Sequence, residues 1–113
     1  MLTATTNLTV VGSITTGTQT KTGNYTLLEG DGGVTFVDAT GGAVTITLPA
    51  ASSSTIGRMY RVFKVDSSGN AVNIAPNGSN TLLAGSTTNT TAQANCLNVT
   101  GYSATAWIVN KTQ

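Results

Sequence analysis

The chain has 113 residues and a mass of 11.4 kDa, enough for one compact domain and short for two. Only nine residues are charged, 8% against a usual share of about 25%, and the net charge is +1. These figures exclude a phosphate-wrapping protein, which needs clustered cations, and a charged tail. They also argue against intrinsic disorder, which pairs low hydrophobicity with high net charge. Thr, Ser and Asn together occupy 42 positions, 23 of them Thr, so hydroxyls and amides rather than ions must wet the surface.

There is no His, which removes Ser-His-Asp, Cys-His and His-metal chemistry from a single chain. Cys96 is the only cysteine, so neither an internal disulfide nor a cysteine zinc site can form. No apolar run has the length of a membrane span, and Met1 to Asn7 lacks the basic and apolar regions of a secretory signal. The N-x-[ST] sequons at Asn7, Asn24, Asn77, Asn89, Asn98 and Asn110 are what so Thr-rich a composition produces by chance. Nothing in the chain calls for a cofactor.

In chain order, residues 1–24 hold one charge, Lys21, and no aromatic residue, with weak alternation at Leu8, Val10 and Ile14. Such a segment buries too little to fold alone. It is expected to be an extended N-terminal arm that gains its partners from other subunits, because bare strand edges seek pairing. Residues 25–113 then form the domain. Period-two alternation at Val34 and Phe36, and at Val44, Ile46 and Leu48, predicts strands with Thr on the opposite face. Gly41-Gly42 between them has the spacing of a hairpin turn.

Arg58 to Val65 predicts a third strand, with Met59, Arg61, Phe63 and Val65 on one face and Arg58, Tyr60, Val62 and Lys64 on the other. Val72 and Ile74, Leu97 and Val99, and Trp107 to Val109 give three more. Pro76-Asn77-Gly78-Ser79 closes one strand, and Gly101-Tyr102-Ser103-Ala104 links the last two. The fold class expected is all-β, an antiparallel β-sandwich or jelly-roll-like domain behind an extended N-terminal strand or arm.

The acids are Glu29, Asp31, Asp38 and Asp66. Glu29 and Asp31 lie in Leu28-Glu29-Gly30-Asp31-Gly32-Gly33, where Asp beside Gly reads as turn chemistry rather than as a glycosidase pair. The same stretch misses the EF-hand spacing and would make at most a weak ion site. Its glycines lack the helix and the Lys-Ser/Thr of a phosphate loop.

Arg58, Arg61 and Lys64 place three of five cations within seven residues. The expected arrangement is a solvated face with one inward Arg paired to an aspartate such as Asp66 or Asp38. The competing one is a contact face built on Arg58, Tyr60 and Lys64. Trp107, flanked by Ala106 and Ile108, is expected in the core, and Cys96 as a small buried hydrophobe. If exposed, Tyr60, Tyr102 and Trp107 would make a sugar-stacking platform.

The ordered phrase from Val37-Asp38-Ala39-Thr40-Gly41-Gly42 through Val44-Thr45-Ile46-Thr47-Leu48-Pro49 resembles a module of tailed-bacteriophage virion proteins. Its continuation is similar too: Gly57-Arg58, then Lys64-Val65-Asp66-Ser67-Ser68-Gly69-Asn70, and finally Ala106-Trp107-Ile108-Val109. Asn7 to Gly17 is similar to the threonine-glycine strand repeats of phage fibre shafts. The resemblance covers about two thirds of the chain. It implies an all-β fold without catalysis, commonly trimeric, in fibres, spikes and small proteins of the phage surface.

The length from Met1 favours a small stand-alone protein of the outer capsid surface, a decoration or cement protein, over a full tail fibre. The implied partners are two further copies in a homotrimer and the major capsid protein, with neither nucleic acid nor membrane. Leu8, Val10, Val11, Ile14, Arg58, Tyr60 and Lys64 are the candidate subunit or capsid interface. The alternative is a tail-fibre or spike module that binds a carbohydrate receptor.

Overall fold

A computed structural model describes residues 9–112, and Leu8 of the candidate interface lies outside the described residues. Ten strands form two packed sheets: β1 (Thr18–Lys21), β2 (Tyr25–Thr26), β3 (Val34–Val37), β4 (Val44–Thr47), β5 (Met59–Lys64), β6 (Val72–Ala75), β7 (Thr81–Leu82), β8 (Asn89–Thr90), β9 (Cys96–Ser103) and β10 (Ala106–Thr112). One sheet has the order β1-β3-β5-β9-β10-β7 and the other β2-β4-β6-β8. The all-β, sandwich-like class read from the sequence is the class observed.

The pairing sense differs from the antiparallel expectation. The chain alternates between the sheets for its first six strands, so each strand reaches its neighbour only after crossing the other sheet. Strands related in this way run parallel. The pairs β1/β3, β3/β5, β2/β4 and β4/β6 are all parallel, while β9 meets β5 antiparallel and forms a hairpin with β10.

This geometry corrects the reading of Gly41-Gly42. The glycines turn a corner between β3 in one sheet and β4 in the other, and no hairpin forms there. Asp38 Oδ1 caps the corner by accepting from the Thr40 amide at 2.9 Å and from the Thr40 hydroxyl at 2.6 Å. In the last hairpin, Gly101 and Tyr102 belong to β9, and the turn falls at Ala104-Thr105.

The arm boundary at residue 24 also shifts. Residues 18–21 are the edge strand β1, registered Thr18 on Val34 through Lys21 on Val37. Lys21 Nζ lies 3.8 Å from the centre of the Tyr25 ring, tying β1 to β2. Backbone lies directly on backbone where the chain enters β1, and a Cβ on Gly32 would stand 2.4 Å from the Gly17 carbonyl. Gly32→Ala is therefore expected to lift β1 off its sheet at a cost of about 1–3 kcal/mol. Loss of hydrogen-exchange protection at the amides of 18–21, with the β9 amides still protected, is the readout. Unchanged protection at 18–21 would refute it.

Alternation sets the core as the sequence predicts. Val44, Ile46 and Leu48 point inward and are buried, and Thr45 and Thr47 turn away. Val72 and Ile74, Leu97 and Val99, and Trp107 and Val109 fill the space between the sheets. Trp107 is fully buried, with its ring centroid 6.0 Å from that of Tyr60.

Candidate interaction face

Strand β5 decides which surface the molecule offers. Its two faces are the two read from the sequence, but the interior one is Tyr60, Val62 and Lys64. The inward cation is Lys64 and not Arg61. Lys64 is 0% exposed, and its Nζ donates to Asp66 Oδ2 at 2.7 Å. Asp66 also accepts from the Ala39 amide at 2.7 Å, the Ser68 amide at 3.0 Å and the Ser68 hydroxyl. The Lys64 ammonium, followed by the Ser68 hydroxyl, holds the Asp66 carboxyl far below the ordinary carboxylate range, outweighing the effect of burial. The cluster is a fully bonded structural knot joining β5, the β3–β4 corner and the 66–70 turn.

Tyr60 and Lys64 therefore leave the candidate interface, because both are enclosed by their own chain. Tyr60 donates its hydroxyl to the Glu29 carbonyl at 2.9 Å, and burial raises its phenol above the ordinary value. Arg58 is half-buried and turned to the same loop. Its Nη1 donates to the Glu29 carbonyl at 3.0 Å, and its Nη2 lies 3.4 Å from Glu29 Oε1. Arg58 thus pins the 27–31 loop. With Tyr60 and Trp107 inside, the sugar platform reduces to Tyr102, which is exposed.

The other acids are also occupied with local structure. Asp31 Oδ2 accepts from the Leu28 amide at 2.8 Å, the Tyr25 hydroxyl at 2.9 Å and Gln19 Nε2 at 3.4 Å. Desolvation raises the Asp31 carboxyl, but these bonds and the charge of Lys21 outweigh it and leave it below the ordinary range. Among the described residues no three acids or Cys converge as a metal site. Cys96 is buried, which pushes its thiol up and makes it a poor nucleophile.

The open surface is the outer face of the six-stranded sheet. Its strand registers align Val34 with Arg61, and Phe36 with Phe63. The Phe36 and Phe63 rings lie 5.9 Å apart at 37°. A depression of about 420 Å³ opens beside them, rimmed by Val65, Gln93 and Ala94, with Lys64 at its margin. Ala94 takes φ = 70°, and its N–H donates a hydrogen bond to the Lys64 carbonyl at 2.8 Å.

Further along the same strands, a second depression of about 510 Å³ is lined by Ile14, Thr16, Gly33, Val34, Met59 and Arg61. Ile14, from the N-terminal segment, thus lies on the face. Val10 and Val11 do not line this depression, and they are 45% and 97% exposed. Of the N-terminal aliphatics that the sequence singled out, Ile14 lines this depression. The sequence missed the sheet half: on β3 it is Thr35 and Val37 that are buried, while Val34 and Phe36 lie on the other face.

The chain matches no known protein family, no curated protein and no solved structure.

Proposed function

We propose that the chain is a structural protein of a tailed-phage virion, a capsid decoration (cement) protein that works by association. The observation that carries this reading is the pairing of a tightly bonded domain with unburied aliphatics at Val10, Val11 and Ile14 beside an apolar sheet face. Exposed aliphatics gathered beside an apolar sheet face are a feature of contact surfaces. Near-zero net charge lowers the electrostatic cost of packing many copies side by side. The N-terminal segment clamps neighbouring copies, in a homotrimer, or reaches the major capsid protein on the outer shell, and binding to the assembled shell stabilises it by mass action.

Light scattering on the full chain and on a chain lacking residues 1–13, which keeps β1, tests the clamp. A full-length trimer that becomes a monomer on truncation is the expected result. The virion role is tested separately: shells stripped of this protein should burst at lower temperature and under milder osmotic shock than intact ones. Equal survival of stripped shells would end the decoration reading.

A second placement, as a module of a fibre or spike, draws on one observation. Among the described residues the short strands β1 and β2 are edges of their sheets, and their parallel register is one that further strands can continue.

A further inference from the structure

We infer that the outer face of the six-stranded sheet is the seat for the N-terminal segment of a second copy, with that copy's Val10 and Val11 occupying the depression beside Phe36 and Phe63. This deepens the proposed function and rests on its clamp. Three observations carry it.

The first is that the chemistry of the segment already fits this face. The chain's own Ile14 lines the depression formed with Val34, Met59 and Arg61, two residues along the strands from Phe36 and Phe63. The second is that beyond Ile14 the segment leaves apolar side chains exposed. Gly12 has φ = 105°, a conformation that residues with side chains rarely adopt, and the bend there leaves Val10 45% and Val11 97% exposed. Val11 is thus clear of the chain that carries it and Val10 only partly covered by it, while among the described residues nothing fills the apolar depression of that chain.

The third observation is charge. By register, the outward rows of β3, β5, β9 and β10 carry one charged side chain, Arg61, with Asn98 and Thr100 beside it. Two such faces packed about a two-fold axis would bring two guanidinium groups together, so face-to-face pairing is opposed. Among the described residues Arg61 has neither an ion-pair partner nor a side-chain hydrogen bond. Residues 9–16 are Thr-Val-Val-Gly-Ser-Ile-Thr-Thr, uncharged and rich in hydroxyls. Laid across the face, such a segment offers backbone carbonyls and hydroxyls to the five N–H donors of Arg61 and no opposing charge. The contact is head-to-tail, one copy's segment on the next copy's sheet, and it closes into a ring where the rotation between copies returns on itself.

The experiment uses the full chain with Cys96→Ser, in two forms of different tag. One carries Val11→Cys, and the other carries Gln93→Cys at the rim of the Phe36–Phe63 depression. Mixed and oxidised, they should give a disulfide between the two different tags. A single chain carrying both cysteines should show no internal bridge as a monomer. In parallel, Val10→Asp/Val11→Asp alters only exposed positions and should raise the dissociation constant for self-association about a hundredfold.

A bridge formed only within one chain would overturn the inference, because the segment would then cover its own sheet. Absence of any bridge, or self-association unchanged by the two aspartates, would overturn it as well. The decoration reading is judged apart from these results. A chain that fails every one of them and still binds stripped shells would place its apolar residues against the capsid protein.

Discussion

Gly101→Ala is expected to destabilise the protein by about 3 kcal/mol or more, at the upper end of overpacking changes. Gly101 lies in β9 opposite Trp107, and a Cβ built there would stand 1.8 Å from the carbonyl oxygen of Thr55 and 2.7 Å from its carbonyl carbon. Thr55 cannot retreat easily. It is fully buried and ends the short 3₁₀ turn Ser53–Thr55, where Ser52 and Thr55 cap each other. The same contact is tied by two backbone bonds, Gly57 N–H to the Gly101 carbonyl and Gly101 N–H to the Arg58 carbonyl, each 2.9 Å long. A methyl group must break those bonds or push β9 away from the loop.

Thermal unfolding should show a midpoint lower by roughly 10 °C or more. Gly41→Ala is the control, since its Cβ meets nothing within 4 Å and its φ is unexceptional. Equal midpoints for the two variants would contradict the close approach at Gly101.

The second large effect is at Lys64. Lys64→Met keeps the length of the side chain but leaves the Asp66 carboxylate without its ammonium partner. Removing one member of a buried pair costs about 3–5 kcal/mol. The remaining donors to Asp66, from Ala39 and Ser68, soften the loss, so about 3 kcal/mol is expected in denaturant unfolding at pH 7. A loss within experimental error would mean that the pair contributes nothing.

The same pair sets an acid limit. The folded-state pKa of Asp66 lies below its unfolded value of about 3.9, so the unfolded chain binds the proton first. The stability contributed is complete above pH 4 and is lost as the pH falls from there toward the depressed folded-state value. Asp31 and Asp38 are shifted in the same direction and act in the same window. Asp66→Asn should flatten the fall in stability below pH 4 while lowering stability at pH 7.

The strands and most of the core were legible because the alternation is strict. Val44, Ile46 and Leu48 could face only one way, and Trp107 between Ala106 and Ile108 had no polar side to present. Strand partners were not legible, since period two fixes which residues share a face and says nothing of which strand lies alongside. A Gly-Gly corner between sheets and a Gly-Gly hairpin have the same composition.

On β5 the two faces were separated correctly, but each held one or two cations and a few apolar residues, so hydrophobicity alone did not choose the interior. The deciding group was Asp66, which a short reach connects to Lys64 and not to Arg61. Gly101 looked like any turn glycine, because the carbonyl that forbids its side chain lies 46 residues earlier in the chain. Ile14 was visible among aliphatics without a domain to bury them. The sheet half of the interaction face depended on knowing that β3 and β5 are neighbours.

The antiparallel fit of β9 against β5 bears on how the protein is made. Thr100 pairs with Met59 but follows it by 41 residues, so a chain growing from its N-terminus holds β1, β3 and β5 ready long before β9 exists. At about 5–20 residues per second, the ladder groups of β5 wait on the order of 2 to 8 seconds for their cover. During that interval a nascent neighbour's strand competes for the same edge. Crowded polysomes translating this chain are where misassembly would begin, and the β9–β10 hairpin ends the hazard as it docks.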